Sequence, residues 1–182
     1  MNSWRWKGIL TVATLLLALS GMAWAAVDDD GCSDATLTGD YGFTVVAQGL
    51  HADGTTRVRT VVGMKHFDGA GKLTQVDFGV DDGTPQSGEV DAKGAFQFRT
   101  GETGTYTVNP DCTGSMEIHL NASSVPPGTS TGVIKIMFVL SNHGRAIHEV
   151  VAESTPPGAS GPDHTFTTRA DDWKLGSDND HE

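Results

Sequence analysis

The chain has 182 residues, with 12 Lys and Arg against 23 Asp and Glu, a formal net charge of −11. That acidity excludes nucleic acid as a partner, because binding it takes clustered cations that displace counterions. It equally excludes a polybasic hold on anionic lipid, and the length suits a single domain.

The first seven residues carry Arg5 and Lys7, residues 8–19 are apolar, and Ala23-Trp24-Ala25 places small residues at a cleavage position. Charged start, short apolar run and small-residue site make a secretory signal, and the run falls short of the roughly 20 residues that span a bilayer. Residues 1–25 are therefore expected to be removed, leaving a secreted or periplasmic protein without membrane attachment. Loss of Arg5 and Lys7 leaves 10 of the 12 basic residues against 23 acidic ones, a charge of −13. It also leaves Trp173 alone of the 4 tryptophans. An acidic lead with Asp28, Asp29, Asp30 and Cys32 fills 26–35. Residues 171–182 read as an acidic, disordered tail after a domain spanning 36–170.

Within that domain apolar and polar residues alternate over short stretches. Tyr41, Phe43, Val45 and Ala47 share one face of a first strand, which Ala52-Asp53-Gly54-Thr55 turns. On the second strand Val58, Thr60, Val62, Met64 and His66 are assigned inward, against Arg57, Arg59, Val61, Gly63 and Lys65. Asp68-Gly69-Ala70-Gly71 needs positive φ and reads as a hairpin turn. The third strand, Lys72 to Val80, is assigned Thr74, Val76, Phe78 and Val80 inward. A loop over 81–88 precedes a short strand with Phe96 and Phe98 inward.

Gly104 to Val108 carries Tyr106 and Val108 on one face until Asn109-Pro110-Asp111 turns the chain. The returning arm carries Met116, Ile118 and Leu120. Residues 123–132 read as loop, and Val133 to Leu140 is the most apolar stretch after the signal. Asn142-His143-Gly144 then turns the chain into Arg145 to Glu153, where Ala146, His148, Val150 and Ala152 form the more apolar face. Residues 156–162 read as a linker-like loop and 164–169 as a last strand.

No stretch of ten residues after the signal shows a helical period. Short strands joined by tight turns predict an all-β antiparallel meander, closed into a barrel of about eight strands so that no edge stays open. The 2 cysteines, Cys32 before the first strand and Cys112 inside the central hairpin, are expected to form a disulfide in an oxidising compartment.

Gly39-Asp40-Tyr41 is similar to the glycine-x-aromatic start of calycin-type barrels such as lipocalins, with Tyr where they usually have Trp. Tyr41-Gly42-Phe43, Phe67-Asp68-Gly69-Ala70-Gly71, Gly104-Thr105-Tyr106-Thr107-Val108, Asp111-Cys112-Thr113-Gly114 and Phe138-Val139-Leu140 together resemble a group of secreted bacterial proteins. Their style is that of calycin and allene-oxide-cyclase-like barrels. The resemblance covers about Cys32 to Glu153 and consists of turns and core positions, so it implies a fold and no active-site pattern.

Motifs with a chemical meaning are few. Gly128-Thr129-Ser130-Thr131-Gly132 matches G-x-S-x-G, but that motif works on a strand-to-helix turn and here a Pro-Pro-Gly loop precedes it. His148-Glu149 opens like H-E-x-x-H without the second histidine. Asp28-Asp29-Asp30-Gly31 and Asp178-Asn179-Asp180 lack the spacing of a calcium loop. The 7 histidines show no ligand spacing, so no metal or other cofactor is expected. Asn121-Ala122-Ser123 is a glycosylation sequon.

Three functional readings emerge. The first is an exported, non-catalytic barrel holding a small apolar molecule, with Tyr41, Phe43, Met64, His66, Phe78, Phe98, Tyr106, Phe138 and His148 as its lumenal wall. The second is a barrel-type cyclase or isomerase using His66 or His148 as acid or base, since histidine titrates near neutral pH. The third is a structural or surface module without ligand. Oligomeric state is open to all three.

Overall fold

Alternation with a period of two makes strands almost wherever the sequence shows it. The computed structural model describes residues 31–51, 53–86, 89–120, 132–155 and 166–176. The expected export signal, the lead up to Asp30, the sequon at Asn121, residues 123–131 of the expected loop, the 156–162 segment and the stretch from residue 177 lie outside the described residues.

The strands are β1 (Thr38–Leu50), β2 (Thr56–Asp68), β3 (Lys72–Asp81), the two-residue β4 (Thr84–Pro85), β5 (Arg99–Val108), β6 (Thr113–Leu120), β7 (Gly132–Ser141), β8 (Ala146–Thr155) and β9 (Phe166–Lys174). All pair antiparallel in the order β2-β1-β9-β8-β7-β6-β5-β3, and β2 pairs with β3 to close an eight-stranded barrel. β4 pairs antiparallel with the last two residues of β3. Closure leaves no long strand edge exposed to another chain. Gly69 and Gly71, at φ 76 and 88, supply the left-handed backbone of the β2–β3 turn.

One end of the barrel is plugged. A short 3₁₀ turn over Asp34–Thr36 leads into Leu37, which is fully buried. The Tyr106 hydroxyl reaches the carbonyls of Asp34 and Leu37 at 3.0 and 3.1 Å, and Asp34 Oδ1 accepts from the Val108 N–H at 2.7 Å. A disulfide joins Cys32 to Cys112 across a sequence separation of 80, with the Cα atoms 4.9 Å apart. Above the plug, Phe67 sits edge-on to Tyr41 and Tyr106, with ring centres 5.2 and 5.1 Å apart. Leu73, Met116, Ile118, Phe138 and Ile147 pack around them. Such edge-to-face pairs add about 0.5–1.5 kcal/mol each beyond their buried area.

Several expected faces are reversed. β1, β6 and β7 turn their apolar sets inward as expected, with Tyr41, Phe43, Met116, Ile118, Ile136 and Phe138 buried. On β2, however, Val61, Lys65 and Phe67 are inside while Val58, Val62, Met64 and His66 face out. On β3, Leu73, Gln75 and Asp77 are inside and Phe78 lies outward. On β8, Ile147 and Glu149 are inside while His148 and Val150 are exposed. Phe96 and Phe98 are not on an inward strand face: they lie outside, against Phe78 at ring distances of 5.8 and 6.1 Å.

The expected tail is corrected as well. β9 runs to Lys174, so residues 171–174 are barrel wall, and Asp172 is completely buried.

Candidate functional site

The reversed faces fill the middle of the barrel with charge. Lys65 enters from β2, beside the ring of Phe43, whose centre is 4.6 Å from its Nζ. Phe43 can lie there because its cross-strand neighbour is Gly63, where a Cβ would stand 2.6 Å from the ring. Lys65 Nζ donates to both Glu149 oxygens at 2.7 Å and to Asp172 Oδ2 at 2.9 Å. Burial by itself pulls this lysine's pKa down, but Glu149 and Asp172 outweigh it and hold it above the usual range. Asp172 is pushed up to about 7, by burial first and then by the like charge of Glu149, against the pull of Lys65.

A second network continues around the wall from Gln75, which pairs across the sheet with Lys65. Gln75 Nε2 donates to Glu102 Oε2 at 2.7 Å. Arg99 clasps Asp77 through Nε and Nη2 at 2.8 and 2.7 Å, and its Nε lies 3.4 Å from Glu89 Oε1. Toward the other end of the barrel, Arg57 and Arg59 share Asp81 and lie over the Phe166 ring at 4.8 and 5.1 Å. Four cations, Lys65, Arg99, Arg57 and Arg59, thus face six carboxylates, Glu149, Asp172, Asp77, Glu89, Glu102 and Asp81, and acid is in excess. Among the described residues, no cluster of His, Cys, Asp and Glu is arranged to hold a metal.

Glu102 makes the interior sensitive to pH. Burial, followed by the neighbouring Asp77, raises its pKa to about 7, with Arg99 and Gln75 opposing. The folded form therefore keeps a proton that the unfolded chain releases near pH 4.5, so stability should fall as pH rises from about 5 to about 7. The loss expected from Glu102 is about 3 kcal/mol, and Asp172 adds in the same direction. Urea unfolding across that range should show the slope, and Glu102→Gln should remove the share that Glu102 contributes, leaving that of Asp172. A protein equally stable at pH 5 and pH 8 would refute the assignment.

The outer surface carries the concave site. A groove of about 800 Å³ runs over β9, β1 and β2, with Gly42 in its floor. Val46, Val62 and Trp173 give it apolar walls, and Thr44, Gln48, Thr167, Arg169 and Asp171 line it with polar groups. The strand registers explain the grouping. Asp171, Thr44, Val62 and Phe78 stand in one row across four strands, and Trp173, Gly42, Met64 and Val76 in the next. Trp173 is 57 % exposed, which is unusual for so large an apolar side chain.

The nine residues assigned to a lumenal wall divide between two sides of the barrel. Tyr41, Phe43, Tyr106 and Phe138 are inside, as part of the packed interior. Met64, His66, Phe78, Phe98 and His148 are outside, and of these Met64 and Phe78 extend the apolar rows next to the groove. His66 bonds through Nδ1 to Asp40 at 2.7 Å. His148 bonds through Nδ1 to Asp171 at 2.7 Å and through Nε2 to Ser141 Oγ at 3.0 Å. Neither histidine reaches the lumen. Sequence reasoning passed over Lys65, Glu149, Asp172 and Trp173. On β2 the signal was the recurrence of Arg57, Arg59 and Lys65 on one face; Glu149, Asp172 and Trp173 had none of comparable regularity. No protein-family model matches the chain, and no curated protein matches it.

Proposed function

We propose that the chain is an exported, calycin-like barrel that binds a small amphipathic molecule on its outer wall rather than in its lumen. The observation that carries the reading is the groove over β9, β1 and β2, apolar at Val46, Val62 and Trp173 and edged with hydrogen-bonding side chains. Binding sites for small molecules are concave, mostly apolar and of roughly 300–1,000 Å³, with a few polar groups that fix orientation. The fitting ligand has one flat apolar face to lie on Trp173 and donors or acceptors at its edge. Export is supported by the Cys32–Cys112 disulfide, since such bonds persist in oxidising compartments.

Trp173 makes the test direct, because the other tryptophans, Trp4, Trp6 and Trp24, precede residue 26. In protein trimmed after Ala25, tryptophan fluorescence reads the groove alone. Naphthalene sulfonates and aryl glycosides should change it saturably with one-to-one stoichiometry. Val62→Arg, at an outward position, should weaken binding by roughly tenfold or more, about 1.4 kcal/mol, without altering the circular dichroism. No saturable change with either probe class would overturn the proposal.

A further inference from the structure

Ser141, His148 and Asp171 form one chain of hydrogen bonds across three strands beside the groove. Ser141 ends β7, His148 lies on β8 and Asp171 on β9, where it pairs across the sheet with His148. His148 Nδ1 is 2.7 Å from Asp171 Oδ1, and Nε2 is 3.0 Å from Ser141 Oγ. An ionised carboxylate can only accept, so the imidazole proton sits on Nδ1 and the lone pair of Nε2 faces the serine hydroxyl. Asp171 is held below the usual carboxylate range, chiefly by the bond from His148 and then by Arg169.

The constellation is recognised by its geometry and roles, whatever the fold or chain order. A His–Asp pair alone would carry no such meaning. His66 and Asp40 make one at the same 2.7 Å, and among the described residues no hydroxyl bonds its other nitrogen. Substrate positioning has a second element. Ala146 pairs with Ser141 on one side and with Trp173 on the other. Neighbouring pairs lie about 5 Å apart, so the Cα atoms of Trp173 and Ser141 are about 10 Å apart with the buried Ala146 between them.

We propose that Ser141 is the nucleophile of a hydrolytic site for small esters carrying an aromatic or apolar group, which lies against Trp173. Ser141 Oγ attacks the ester carbonyl while its proton passes to His148 Nε2. The imidazolium returns that proton to the departing alkoxide as the C–O bond breaks, giving acyl-Ser141 and free alcohol. Water then gives a proton to Nε2 and attacks the acyl carbon. The proton goes back to Ser141 Oγ as the carboxylic acid leaves. The sum is ester plus water to acid plus alcohol. The relay stands on its own geometry and does not require reversible binding in the groove.

The test is reaction of the unaltered protein with a fluorophosphonate probe, followed by peptide mapping, alongside hydrolysis of para-nitrophenyl butyrate. One adduct on Ser141 is expected. Turnover should fall roughly 100-fold in Ser141→Ala and in His148→Ala, each checked for fold by circular dichroism. His66→Ala should leave the rate unchanged. Adducts on surface lysines with none on Ser141, or a rate that survives Ser141→Ala, would overturn the proposal. Because the mapping uses unaltered protein, a variant that fails to fold does not obscure the result.

Discussion

Lys65→Met is expected to destabilise the barrel by about 3 to 5 kcal/mol at pH 7, because it leaves two buried carboxylates without their cation. Lys65, Glu149 and Asp172 are all essentially inaccessible to solvent, and the lysine Nζ makes the three hydrogen bonds that link them. The opposite member of the triad should behave differently. Asp172, pushed up to about 7, is substantially protonated at neutral pH, and its Oδ1 has no hydrogen-bond partner among the described residues. Asp172→Asn can keep an oxygen toward Lys65 and place its amide nitrogen at the unpartnered position. We expect a change on the order of 1 kcal/mol or less. Lowering the pH to 5 should restore part of the Lys65→Met loss by protonating Asp172. Guanidinium unfolding of the two variants at both pH values decides the matter. Equal losses would show that the triad is not organised around the lysine.

Replacing both Cys32 and Cys112 with Ser should lower stability by about 4 to 5 kcal/mol, since the bond restricts a loop of 80 residues in the unfolded chain. For a domain of this size that corresponds to a fall of roughly 10 to 18 °C in Tm. The bond also anchors the segment that plugs the barrel. The Cys32 N–H donates to the Pro110 carbonyl at 3.2 Å, and Leu37, Asp34 and Tyr106 continue the contact inward. We therefore expect early exchange of the Leu37 and Val108 amides in the double variant, while β6 and β7 stay protected. A Tm unchanged within 2 or 3 °C would mean that plug packing alone holds the end closed.

The outcome on each strand shows which part of the fold was legible. β7 showed as an apolar run, and period two located β1, β2, β3, β6 and β8 correctly, because alternation follows from backbone geometry whatever the side chains are. It does not say which face is inside. That choice used apolar-in, polar-out, which holds on β1, β6 and β7, where Tyr41, Met116 and Phe138 oppose Thr44, Ser115 and Lys135. On β2, β3 and β8 the rule inverts. Lys65, Gln75, Asp77 and Glu149 go inside because they satisfy one another there, and Val62, Phe78 and Val150 go outside. A one-residue shift flips a whole face, so each such strand was misassigned as a unit. The groove followed from the same inversion and was invisible for the same reason. Residues 171–174 looked like solvated tail because charge is usually exposed, whereas Asp172 has a buried partner more than a hundred positions earlier.

The pairing of β9 with β1 has a kinetic consequence. It joins opposite ends of the domain, Tyr41 with Lys174 and Gly49 with Phe166, so the ring cannot shut until β9 is present. Every other neighbouring pair is joined by a far shorter connection and can zip as the chain emerges. Until then β1 and β8 each present an open edge, and Lys65 faces Glu149 without Asp172. The closing step is therefore a long loop closure, which makes refolding slow for the size of the protein. It also makes the interval between the synthesis of β8 and the arrival of β9 the time of greatest exposure to misassembly with other copies.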